Sequence, residues 1–74
     1  MQSDMPPEIL QHVAELNDDL INLAVLHYRS GDYGTALAVM ARAVQFYKSQ
    51  VGDDDPRTQA ARAIHHHVHD KAWK

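Results

Sequence analysis

Hydrophobic residues in the first third of the chain recur at the spacing of an α-helix. One set follows alternating steps of four and three residues, the spacing of a coiled-coil seam, and comprises Ile9, Val13, Leu16, Leu20, Leu23 and His27. A second set runs beside it and comprises Leu10, Ala14, Asn17, Ile21, Ala24 and Tyr28. A helix that is apolar on two adjacent faces needs two surfaces to pack against. One surface is expected from the next helix of the chain, and the other from a third helix or from another molecule.

Glycine, proline and capping residues mark the ends of the helices that this pattern predicts. Pro6–Glu8 is a helix opening, since proline is tolerated in the first turn and the glutamate favours its positive end. Gly31 followed by Asp32 indicates a helix end and the N-cap of the next helix. The segment Gly52–Pro56 indicates a second break for the same reasons. The sequence therefore predicts three helices, over about residues 7–30, 33–50 and 56–73.

The second and third predicted helices each have one apolar face. Helical spacing assigns to the inner face of the second helix Ala36, Leu37, Met40, Ala43, Val44 and Tyr47. The corresponding face of the third helix comprises Ala60, Ala61, Ile64, Val68 and Trp73. Ala36 and Ala43 lack bulk, so two helix backbones can approach closely beside them.

The middle of the chain combines small, large apolar and turn residues in a characteristic order. It reads Asn22-Leu23-Ala24, Tyr28, Gly31-Asp32-Tyr33, Ala36-Leu37, Met40 and Ala43, and it ends on Gly-x-Asp-x-Pro-x-Thr over residues 52–58. This order resembles a single tetratricopeptide (TPR) repeat, and its ending resembles the longer repeat of the kinesin light chain type. The resemblance implies an all-α fold: a three-helix TPR-like helical hairpin with a long first helix and a C-terminal capping helix. It also implies a protein-binding role without chemistry of its own.

Size and composition are those of one small folded domain. The chain has 74 residues, of which 45% are hydrophobic, so residues 1–74 are expected to form a single domain. A net charge of −3 argues against direct binding of nucleic acid. The chain has no cysteine, and Met1–Asp4 lacks the basic start of a signal peptide. No stretch is long and apolar enough to span a membrane, so a cytoplasmic protein without membrane contact is expected.

The first 19 residues carry five acidic side chains and no lysine or arginine. Acidic residues at the start of a helix stabilise its dipole, which is the simpler interpretation. In the alternative interpretation, an acidic face attracts a basic surface of another protein. The candidates for binding such a partner are Asp18, Asp19, Tyr28 and Tyr47. The coiled-coil-like set also predicts a homodimer, with interface candidates Ile9, Val13, Leu16 and Leu20.

Histidine is in excess, with six in the chain and four of them between residues 65 and 69. On a helix, His65 and His69 lie one turn apart and could chelate a transition metal. His66 and Asp70 have the same spacing. Two ligands do not complete a tetrahedral site, so a solvated helix face near a C-terminus is the simpler interpretation. His27 is expected to be a core histidine bonded to a backbone carbonyl, with a pH-sensitive interface histidine as the alternative.

No residue pattern indicates catalysis. The serines have no nucleophile context, and no glycine-rich phosphate loop occurs. We therefore expect a protein that is not an enzyme and needs no cofactor. The leading hypothesis is a small dimeric regulator that binds and inhibits or redirects a larger protein, such as a transcription regulator. The alternatives are a structural adaptor or assembly subunit, and a metal-handling protein that uses His65 and His69.

Overall fold

Four helices make up the protein in a computed structural model, which describes residues 5–73. They are α1 (Pro7–Leu16), α2 (Asp19–Arg29), α3 (Tyr33–Val51) and α4 (Pro56–Ala72). Residues 5–73 contain no strand, so the prediction of an all-α protein is confirmed. Met1–Asp4, to which the signal-peptide interpretation and one of the five N-terminal acids belong, lies outside the described residues.

The first predicted helix is two helices, so the prediction of one long helix over residues 7–30 is wrong. The backbone of Asn17 is left-handed, with φ 47°. The Asp18 carboxylate then caps α2 by accepting from the N–H groups of Leu20 at 2.8 Å and Ile21 at 3.3 Å. Asparagine is one of the few residues other than glycine that visit the left-handed region routinely. The chain therefore turns between α1 and α2.

Helix α3 is at the centre of the packing. It packs against both α2 and α4, and α1 packs against α4. Because of the turn after α1, the two N-terminal helices have different neighbours and do not form one rod. The buried apolar side chains come from all parts of the chain except α1 and comprise Met5, Ile21, Ala24, Val25, Tyr28, Ala36, Met40, Ala43, Tyr47, Ala61, Ile64 and Val68.

The two breaks predicted near Gly31 and Gly52 are confirmed. Both glycines have positive φ, 88° and 92° respectively. Asp32 and Asp55 cap α3 and α4, each by accepting from a backbone N–H in the first turn. The hydroxyl of Thr58 donates to the carbonyl oxygen of Gly52 at 2.7 Å. This bond closes the loop between α3 and α4 and explains why a threonine is fully buried there.

The predicted inner faces of the last two helices are correct except at one end. On α3, Leu37 and Val44 are half-buried and the other four predicted residues are buried. On α4, four predicted residues are buried. Trp73, by contrast, is 74% exposed, so its assignment to the core is wrong. Helix α4 ends at Ala72, and the tryptophan ring contacts that of His69, with centroids 5.8 Å apart.

Candidate protein-interaction site

One face of α2 exposes two large apolar side chains side by side. Leu23 is 43% exposed and Leu26 is 64% exposed. They lie three residues apart, which brings them to the same side of a helix. The side chains of Asp19 and Arg29, near the two ends of α2, are also exposed. We call the surface formed by these four residues the α2 face.

A groove between α1 and α2 adjoins the α2 face. It has a volume of about 280 Å³ and is lined by Leu10, Val13, Asn22, Val25, Leu26 and Arg29. Helix α1 is held by α4, and α2 is held by α3, so the two walls of the groove are fixed by different neighbours. The groove is apolar inside and carries an amide and a guanidinium on its α2 side. Such a combination suits an apolar side chain that arrives with a polar group beside it.

Two of the predicted partner-binding residues bond to each other. The hydroxyl of Tyr47 donates to Asp18 Oδ2 at 2.7 Å, while Asp18 Oδ1 caps α2. Burial raises the pKa of Tyr47 to about 12, and the hydrogen bond to Asp18 raises it further in the same direction by favouring the neutral phenol. The pair ties the start of α2 to the end of α3, so both side chains have a structural task.

The other two candidates differ from each other in exposure. Tyr28 is buried; its hydroxyl lies 3.1 Å from His67 Nε2 on α4, and its ring contacts that of Tyr33. Asp19 is exposed in the first turn of α2. As partner-binding residues all four stay predictions, and among them Asp19 alone has an exposed side chain.

The predicted dimer residues lie largely against the protein's own core. Ile9, Val13, Leu16 and Leu20 are each half-buried and packed on the buried cluster. As a dimer interface this set stays a prediction, but part of its surface is already covered within the chain. Leu26, the most exposed leucine, belongs to neither of the two apolar sets in the sequence. A hint was present in the nearly continuous apolar run from residue 20 to 28, which has more apolar positions than one helix can bury.

The histidines are distributed over the surface of α4 and the end of α2. The rings of His65 and His69 have centroids 6.3 Å apart, and no group of three or more metal-binding side chains occurs among the described residues. Burial lowers the pKa of His65, as do the neighbouring His69 and His66. The expectation of a core position for His27 is wrong, since its side chain is 34% exposed and its Nδ1 lies 3.7 Å from Asp32 Oδ2.

Comparison with known proteins assigns no family to this geometry. No family model matches the chain, no curated protein matches it, and no solved structure matches it. None of the helices described is of the length and apolarity that crossing a membrane requires. The TPR resemblance therefore rests on the residue pattern alone.

Proposed function

We propose that this chain is a protein–protein interaction module that binds a larger protein through the α2 face and the adjoining groove. The observation that carries the proposal is the exposure of Leu26 at 64% beside an apolar groove. A small domain gains stability by burying such a side chain, and leaving it in water forgoes about 1.5–3 kcal/mol. Adjacent exposed leucines with polar residues around them are typical of interaction surfaces.

The TPR-like interpretation belongs to the same proposal. Helices α2 and α3 correspond to the two helices of one repeat, and α4 corresponds to the capping helix that follows it. The packing of α3 against both α2 and α4 supports this correspondence. A single repeat cannot bury its own apolar surface, which is consistent with a partner on the α2 face. The absence of cysteine fits a reducing compartment such as the cytoplasm.

Affinity capture with matched variants tests the proposal. Tagged wild-type protein, Leu26→Glu and Phe46→Glu are used to capture proteins from the source cells, followed by mass spectrometry. Phe46 on α3 is 53% exposed, so its variant introduces the same charge on another helix. We expect a dominant partner with the wild type and Phe46→Glu, and its loss with Leu26→Glu. Identical captured sets for all three proteins would contradict the proposal.

A second step separates a regulator from an adaptor. The activity of the captured protein is measured with and without stoichiometric wild-type chain. Inhibition or a change of specificity that Leu26→Glu abolishes supports a regulator, which is the role we propose. Unchanged activity in a stable complex supports the adaptor role instead. Circular dichroism of each variant confirms that the helices are retained.

A further inference from the structure

We propose that the α2 face binds a second copy of this chain, with the two α2 helices antiparallel across a two-fold axis. Leu23 and Leu26 lie at the centre of this contact, and Asp19 of each copy lies opposite Arg29 of the other. The proposal rests on the proposed function for the location of the surface, and it names the occupant.

The order of residues along the α2 face is self-complementary. Asp19 and Arg29 are ten positions apart in the sequence, or about 15 Å along a helix. Leu23 and Leu26 lie between them, so the midpoint of the leucines and the midpoint of the two charges nearly coincide. A two-fold axis through that point exchanges the two ends of the face, as a symmetric dimer interface requires.

The charges select an antiparallel orientation. Asp19 and Arg29 are exposed, and neither makes an ion pair within residues 5–73. Each charge also complements the helix dipole, which would explain the charges but not the leucines exposed between them. In the antiparallel pair both ends of the contact join opposite charges. In a parallel pair, like charges would face each other at both ends, which disfavours that orientation.

The groove provides room for the central side chains. In the antiparallel register, Leu26 of one copy approaches Asn22 of the other, at the α2 wall of the groove. An apolar cavity of about 150 Å³ can hold benzene, so a groove of about 280 Å³ has room for a leucine side chain. The other large exposed apolar residues, Phe46 and Trp73, do not line this groove and are single residues on α3 and at the end of α4.

The contact is small, so the dimer is expected to be weak and reversible. Helix α2 has 11 residues, and one face of such a helix with a shallow groove buries less than the ~1,200 Å² of standard interfaces. Association should therefore depend on concentration in the micromolar range or above. The rim charges contribute mainly to orientation, because exposed ion pairs add little to affinity.

Sedimentation equilibrium over a range of concentrations tests the second copy as occupant. The wild type should rise from the 8.4 kDa of the chain towards twice that mass. Leu26→Glu should weaken association by more than about tenfold, because it buries an unpaired carboxylate at the centre. Phe46→Glu, the matched control, should associate like the wild type. A wild type that is monomeric throughout, or a dimer that Leu26→Glu leaves intact, overturns the proposal.

Charge reversal tests the antiparallel register. Asp19→Arg alone and Arg29→Asp alone should each weaken self-association about threefold to tenfold, since like charges then meet at both ends. An equimolar mixture of the two variants should restore it, because in the mixed dimer every contact joins opposite charges. Native mass spectrometry distinguishes the mixed dimer from the two homodimers by mass. A mixture that associates no better than its components overturns the antiparallel arrangement.

The outcome is separable from that of the proposed function. A monomeric wild type whose larger partner is still captured through Leu26 removes the second copy and leaves the proposed function intact. A Leu26-dependent dimer that captures no larger protein leaves the second copy and removes the larger partner. Failure of both measurements removes both.

Discussion

Asp18 shows how a side chain that suggests binding is used to hold the fold. One carboxylate oxygen accepts from two backbone N–H groups at the start of α2, and the other accepts from the hydroxyl of Tyr47. The sequence indicates the capping role, since aspartate before an apolar run is a common N-cap. It does not indicate the bond to Tyr47, which is 29 residues away and depends on how α2 packs against α3.

Removing either member of this pair should destabilise the protein. Asp18→Ala loses a cap and a charge-assisted hydrogen bond, so the free energy of unfolding should fall by about 2–3 kcal/mol. Tyr47→Phe should cost about 1–2 kcal/mol, and the double variant should cost less than the sum. Denaturant unfolding measures all three. Asp54→Ala, an exposed loop acid, should stay within about 0.5 kcal/mol of the wild type; an equal effect of Asp18→Ala would contradict the assignment.

The same tyrosine should make stability fall at alkaline pH. The pKa of Tyr47 is raised from 10.0 to about 12, so the folded state favours the protonated phenol. Its contribution is fully present below pH 10 and is lost as pH rises through about 12. The denaturation midpoint of the wild type should therefore fall across this interval, and Tyr47→Phe should flatten that fall. If Tyr33→Phe flattens it equally, Tyr47 is not the group responsible.

At the scale of the helices, the sequence predicts a break where independent signals agree and misses one where they conflict. Glycine, proline and capping aspartate all coincide near Gly31 and Gly52, and both breaks are present. At residues 17–18 the apolar spacing continues from Leu16 to Leu20 without interruption, which favoured one helix. The left-handed Asn17 and the docking of α1 on α4 decide otherwise. The docking is a tertiary contact that spacing alone does not contain.

Two glycines at the α2–α3 corner should respond oppositely to alanine. Gly31 has φ 88°, a conformation that costs alanine roughly 1–2 kcal/mol. Gly34 lies within α3, and an added Cβ there meets no atom within 4 Å. Gly34→Ala should therefore raise the free energy of unfolding by about 0.5–1 kcal/mol, and Gly31→Ala should lower it. Thermal or denaturant unfolding of both variants checks the signs, and the same sign for both would contradict the conformations described.

The close approach of α3 to its neighbours should make its small buried residues sensitive to added volume. Ala43 is buried, whereas Ala41 on the same helix is exposed. Ala43→Leu should lower the free energy of unfolding by about 1–3 kcal/mol through overpacking. Ala41→Leu adds the same volume towards solvent and should stay within about 0.5 kcal/mol of the wild type. Similar denaturation midpoints for both variants would mean that α3 is not closely packed at Ala43.

For the molecule as a whole, surface exposure was harder to predict than secondary structure. The two apolar sets in the sequence include most of the residues that α1 and α2 turn towards the core, yet neither set includes Leu26. Its exposure results from the separation of α1 and α2 onto different neighbours, which leaves a groove where a single rod would have none. The candidate site is therefore a product of tertiary packing, and the sequence predicts only that surplus apolar surface exists.

The separate attachment of α1 makes the groove depend on one contact, between α1 and α4. No residue of α1 is fully buried, so we expect α1 to detach at a lower free energy than that of global unfolding. Ile9→Ala truncates a half-buried side chain of α1 that packs on the core. It should speed hydrogen exchange in α1 and in the surface of α4 beneath it more than in α2 and α3, as measured by mass spectrometry of peptides. Gln11→Ala, on the exposed side of α1, should leave the exchange pattern unchanged. Acceleration by the same factor in all four helices would show instead that α1 opens together with the rest of the molecule, and that the groove is as stable as the core.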